Sequence, residues 1–197
     1  REWASARLNH LKLRGIDLER AELEMVNMEG CDLTDANLKL ANLVKANMQL
    51  SKMVRTQLSH SDLSESYLFK VDLTEADLSW ARLLSASLEQ SDLVDANLER
   101  ANLAEVNLLL AVLTRANLRG ANLRWASLDA ADLTGANLDN TELDNATMLD
   151  TNFTDSNWWR ARGLKSATLE RFKVEFAPGE NAPAGYLEDF AKWVAGE

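Results

Sequence analysis

Few residues of this 197-residue chain have side chains that do chemistry, and their placement keeps them apart. The natural metal ligands are two histidines, His10 and His60, and a single cysteine, Cys31. A zinc site needs three or four such groups converging, and no short spacing here brings them together. The hydroxyls recurring at five-residue steps, such as Ser51, Thr56, Ser61 and Ser66, read as small core fillers and not as nucleophiles. None has a histidine and a carboxylate arranged beside it as hydroxyl activation requires. A glycine-rich phosphate loop is also missing. No catalytic, cofactor-binding or metal-ligating residue is assigned, no cofactor is expected, and the chain is read as a non-enzyme.

What positions these residues is a period of five. From Leu8 to Phe153 every fifth residue is large and apolar: 25 Leu, four Met (Met28, Met48, Met53, Met148) and Phe153, with no slip in phase. Two residues before each of these centres lies a small partner, Ala in 17 of 30 cases, then Ser or Thr. Between the two, 18 of 30 residues are Asn or Asp. A straight α-helix would carry such leucines around its axis, and a straight strand would alternate them between faces. The backbone therefore changes direction once per repeat, with centre and partner pointing inward. Gly15, Gly30, Gly120 and Gly135 all lie two residues after a centre, which marks that position as the corner. Both prolines, Pro178 and Pro183, fall after the repeats, where they remove no ladder donor.

The unit Ala-(Asn/Asp)-Leu-X-X, as in Ala96-Asn97-Leu98-Glu99-Arg100 or Ala121-Asn122-Leu123-Arg124-Trp125, resembles the pentapeptide-repeat family. The resemblance covers residues 6 to about 155. It implies an all-β solenoid: a right-handed quadrilateral β-helix with four repeats per coil and a short C-terminal α-helical cap. The hand and the four sides come from the resemblance, since the period alone permits another number of sides. On four sides, His10 and His60 point outward on opposite sides, coils apart, and Cys31 points into the core. The expected rod is roughly 36 Å long at the usual spacing of stacked strands.

The expected divisions are an N-terminal cap at 1–5, the repeats at 6–157 and a C-terminal capping segment at 158–197. Leu11 and Ile16 at partner positions suit a wider first coil. After Gly163 breaks the pattern, residues 167–176 read as a last irregular coil or strand. A helix is predicted over about 184–194, with Tyr186, Leu187, Phe190, Trp193 and Val194 on one face. It serves either as a cap over the open core or as a dimerisation element, through which the chain would form a homodimer.

Function must lie on the outward positions. The net charge of −10 gives no basic footprint for nucleic acid or an anionic membrane. No apolar run approaches the roughly 18 residues of a membrane helix. A cytoplasmic location is expected. A rod of this kind offers no obvious concavity for a substrate. Leu50, Tyr67, Phe69, Leu109 and Leu110 lie outward on the side that begins with Leu8 and form a candidate partner surface, unless they are scattered surface apolars. Trp80 and Trp125 fall on other sides and read as isolated. The leading expectation is a non-enzymatic protein-interaction or scaffold module with an unidentified protein partner. The alternative implied by the resemblance is a DNA mimic that binds DNA gyrase or topoisomerase, although the acids are spread over all sides and mixed with bases.

Overall fold

The computed structural model describes Trp3 and residues 5–196. Arg1, Glu2 and Ala4 of the expected N-terminal cap, and Glu197, lie outside the described residues.

The repeat Ala76–Trp80 shows how five residues close on themselves. The Leu78 N–H donates to Asn97 O of the next coil at 2.7 Å, and the Trp80 N–H to Glu99 O at 2.9 Å. The Asp77 N–H donates the other way, to Thr56 O of the preceding coil, at 3.0 Å. The Ala76 N–H bonds back across the previous corner to Leu73 O at 3.0 Å. The fifth donor, the Ser79 N–H, is taken by the Asp77 carboxylate at 3.1 Å. Every amide of the unit thus has a partner, as buried backbone requires.

The same scheme recurs along the rod. Parallel bridges pair residues twenty apart, from Arg7 with Asn27 to Glu142 with Arg162, so each turn contains four five-residue units. From Ser5 to Asp155 every fifth residue has φ between 53° and 66°. Only four of these corners are glycine; the others include Leu40, Leu50, Trp80 and Trp125. A side chain in this left-handed region costs about 1–2 kcal/mol. The corner N–H bonds made to the next coil, such as Leu40 to Ser59 O at 3.1 Å, hold the chain there regardless.

An all-β reading needs a correction of detail. The sides are single bridging residues rather than strands, and the regular elements among the described residues are helical. The reason is the left-handed corner, which turns the chain before a ladder can lengthen.

The interior is filled as the period requires. Centres from Leu18 to Leu143, and their partners from Ala21 to Thr141, are buried. Where the partner carries a hydroxyl, the group donates to a backbone carbonyl: Ser51 to Met28 O at 2.8 Å, Thr56 to Leu33 O at 2.9 Å, Thr141 to Leu118 O at 2.8 Å. Ser66 makes no such bond. The Cys31 thiol donates to Leu8 O at 2.9 Å, and burial pushes its pKa up. Among the described residues no coil lies beneath the first, and Leu11 is 43% exposed and Ile16 half-buried.

Aromatic residues close the far end. Trp158 occupies the next centre position, inside a 3₁₀ turn at Trp158–Arg160, and is fully buried. Helix α1, Ser166–Glu175, follows. Residues 167–176 are therefore helical up to Glu175, not a coil or strand: Leu169, Phe172 and Phe176 fall at helical spacing and pack on the rod end. Helix α2, Tyr186–Ala195, starts after Gly185, whose φ is 86°. Its apolar set divides. Tyr186, Phe190 and Trp193 pack against Trp158 and Trp159, while Leu187 and Val194 are exposed. Gly163 stands where a centre leucine would be; a Cβ there would lie 2.5 Å from the Asp144 backbone nitrogen.

Candidate interaction surfaces

Because each turn holds twenty residues, outward side chains twenty apart stack along the rod. On the Leu8 side part of the predicted patch falls on adjacent coils, although no two of its members there are twenty apart. Leu50 is a corner residue, 55% exposed, and its N–H donates to Phe69 O at 2.9 Å. Tyr67, 52% exposed, stands at the bridging position of the same coil as Phe69. The Lys70 ammonium lies 5.2 Å from the Phe69 ring centroid, a cation–π contact. Leu109 and Leu110 are on the same side but two coils further on. Ser87, Glu89 and Gln90 of the intervening coil separate them from Phe69. The predicted patch thus divides into Leu50, Tyr67 and Phe69 on two adjacent coils and Leu109 and Leu110 two coils on, with Phe69 and Leu109 half-buried.

Tyr67 also departs from the local rule. All 18 Asn and Asp residues at bridging positions accept the N–H two residues on, as Asp62 does for Ser64 at 3.0 Å and Asn107 for Leu109 at 3.1 Å. Tyr67 lacks that acceptor, so an aromatic ring faces outward where the backbone favours Asn or Asp.

Trp80 is not isolated. His60, Trp80 and Arg100 are successive corners one coil apart. The His60 and Trp80 rings stack at 6.0 Å and 10°, and the Arg100 guanidinium sits 4.7 Å from the Trp80 ring centroid. The signal was present in the sequence, since these residues differ by twenty. His10 and His60 stand at separate corners, at φ 58° and 60°, and the described residues hold no cluster of ligands able to bind a metal ion.

Charged residues pair between coils. Arg55 Nε meets Asp35 Oδ1 at 2.8 Å, Arg115 Nε meets Asp95 Oδ1 at 2.8 Å, and Arg82 meets Asp62 at 3.2 Å. Hydrogen bonds from Arg55 and Arg115 hold the carboxyls of Asp35 and Asp95 below the usual range. In the cap, Asp189 accepts from Trp159 Nε1 and Arg160 Nε, both at 2.7 Å, and Arg160 above all lowers its pKa.

The expected lack of a concavity is also corrected. A groove of about 730 Å³ opens at the C-terminal end, between Ala146–Leu149 of the last coil and the start of α1. Trp125 forms part of its wall, together with Leu164, Lys165 and Arg171. The period ends there and the chain turns into a helix, so the groove arises where repeat and cap fail to meet.

A family model described as pentapeptide repeats (8 copies) matches residues 4–39, 12–49, 51–90, 91–129 and 121–157. The chain belongs to the pentapeptide-repeat family. Pentapeptide-repeat proteins fold as right-handed quadrilateral β-helices, and the twenty-residue turn observed here has the matching four units. Among solved structures, a pentapeptide repeat protein from the Arabidopsis thaliana thylakoid lumen superposes with a TM-score of 0.54 at 22% identity, over 60% of this chain and 81% of that one. That likeness concerns the fold. HetL, involved in heterocyst differentiation regulation in the cyanobacterium Nostoc sp. strain PCC 7120, matches at 26% identity and a TM-score of 0.32, covering 81% and 77%. Full-length QnrB1, a plasmid-mediated fluoroquinolone resistance protein, matches at 13% identity and a TM-score of 0.37, covering 98% and 100%. No curated protein matches the chain. No helix among the described residues is long and apolar enough to cross a membrane.

Proposed function

We propose that this pentapeptide-repeat chain is a non-enzymatic interaction module, a right-handed β-helical rod that presents its Leu8 side to a protein partner. The observation that carries the reading is the cluster of Leu50, Tyr67 and Phe69 on adjacent coils, with Leu109 and Leu110 beyond it. Large apolar groups gathered on one side of a narrow rod are what a partner surface requires. The hydroxyls of Ser51, Thr56 and Ser61 are tied to carbonyls, which supports a structural role for them. The test is the double substitution of Phe69 and Leu110 by Glu. Partner capture and any self-association should be lost while circular dichroism and Tm stay close to wild type. Unchanged pull-down and sedimentation profiles would remove the patch from the proposal.

The alternative, a DNA mimic that binds DNA gyrase or topoisomerase, is less well supported. Such mimicry needs unpaired acids along the rod, whereas Asp35, Asp62 and Asp95 are each paired with an arginine one coil away. A gyrase supercoiling assay separates the two readings: no inhibition and no drug protection are expected at micromolar protein. Dimerisation through α2 would use the exposed Leu187 and Val194, because Tyr186, Phe190 and Trp193 are engaged with the rod end.

A further inference from the structure

The last turn of the rod leaves one side uncovered. Residues 146–150 form a complete rung on their lower edge. Thr147 bridges Ser127, the Leu128 N–H donates to Thr147 O at 2.9 Å, and the Ala130 N–H donates to Leu149 O at 2.7 Å. Asp150 keeps the corner conformation at φ 56°. The Leu149 N–H, which has no Asn or Asp at position 147 to receive it, is held by the Asp129 carboxylate at 2.8 Å. The rung is thus set in the same shape as those beneath it.

Its upper edge has no partner among the described residues. In each coil below, the centre N–H and the corner N–H donate upward, and the carbonyl of the small residue accepts from above. The counterparts here are the Met148 N–H, the Asp150 N–H and the Ala146 carbonyl, and none of them is bonded. The chain continues into α1 instead of laying down another rung, so Ala146 and Met148 are half-buried where Ala126 and Leu128, one coil below, are fully buried. Over the adjacent side the Phe153 and Asp155 N–H groups are likewise unbonded, but Phe172 and Phe176 cover Phe153.

We propose that this edge and its groove dock an extended polypeptide segment, which adds in parallel as one more rung. The open groups dictate its backbone. One residue donates its N–H to Ala146 O and accepts from the Met148 N–H, and the carbonyl two residues later accepts from the Asp150 N–H. Strand addition to an unpaired edge draws affinity from such main-chain bonds and selectivity from the side-chain environment. Trp125, Leu149 and Leu164 offer an apolar wall, and Lys165 stands along the groove while Arg171 is engaged by Glu175, so the segment is apolar with an acidic residue placed for Lys165. This inference is independent of the Leu8-side cluster.

The probe is an acetylated and amidated ten-residue peptide with the sequence of residues 86–95, two consecutive rungs that carry Leu88 and Leu93 and the acids Glu89, Asp92 and Asp95. It is titrated into the ¹⁵N-labelled full chain. Saturable shifts and slowed exchange are expected at the Met148 and Asp150 amides, with Kd below about 1 mM. N-methylation of the peptide residue corresponding to Ser87 removes the donor to Ala146 without altering the protein, and should weaken binding about tenfold. Trp125→Ala, at an exposed position, should weaken it several-fold with Tm unchanged. The proposal is overturned if millimolar peptide leaves both amides unmoved, or if the N-methylated peptide binds equally well. Concentration-dependent protection of both amides without peptide would place a second copy there and overturn it too.

Discussion

The Asp77 carboxylate accepts the backbone N–H of Ser79 at 3.1 Å, and the amide nitrogen of Asn97, one coil on, donates to the same oxygen at 3.1 Å. The second bond begins a ladder that runs through Asn117 and Asn137 to Asn157, with rungs of 3.0 to 3.2 Å. In this column a bridging Asn or Asp therefore does two jobs: it satisfies a donor within its own repeat and ties its coil to the next.

Asp77→Ala removes both bonds. The Ser79 N–H is half-buried and would turn to water, so a loss of about 1 kcal/mol is expected. Asp77→Asn keeps an acceptor and should recover most of it. Urea denaturation of the three proteins measures the difference.

Leu78→Ala opens a cavity in a core with no space to collapse, because the coils above and below fix the side. A loss of about 2–5 kcal/mol is expected. Since each coil rests only on its neighbours, hydrogen exchange should rise first in the repeats flanking Leu78 and least at the rod ends.

Opposite effects are expected at two left-handed positions. Ala130, at φ 54°, is an exposed corner; Ala130→Gly relieves the side-chain clash but adds unfolded-chain entropy, for a net gain of under about 1 kcal/mol. Gly163, at φ 80°, has the Asp144 backbone against it, and Gly163→Ala should lower Tm clearly. Thermal unfolding reads both.

Acid should loosen the cap. Asp189 has its folded pKa depressed, chiefly by the hydrogen bond from Arg160. Its contribution is complete above the unfolded value near 3.9 and is lost as pH falls through the lower folded value. Asp35 and Asp95 act in the same direction, so the comparison must be with Asp189→Asn, whose tryptophan fluorescence and Tm should change less than those of wild type between about pH 5 and 3.

Much of the rod was legible because its order is local. A centre such as Leu78 and a partner such as Ala76 face inward in every unit, and the corner two residues after the centre could be read from four glycines. That Leu40 or Trp80 would occupy the same left-handed corner was less evident, since local preference opposes it and only the inter-coil bonds hold it there. The role of Asn and Asp was also readable in principle, because these side chains commonly bond the backbone two residues on. The cap was less legible. The spacing of Leu169, Phe172 and Phe176 suits a helix, but the preceding period suggested another coil.

The sequence by itself determined the unit: its phase, its buried leucines and its corner, all properties of five consecutive residues. Only the tertiary structure decided which outward groups meet. Stacking twenty residues apart sets Arg100 over Trp80 and pairs Arg55 with Asp35, and the ladder between coils bonds the Leu50 N–H to Phe69 O. It also decided where the stack ends, because Phe172, Phe190 and Trp193 pack on Trp158 and Phe153 and draw the chain into helices. The rung at 146–150 is left with its upper edge unpaired, for the physical reason that a repeating ladder always ends in donors and acceptors that its own chain must either cap or leave open.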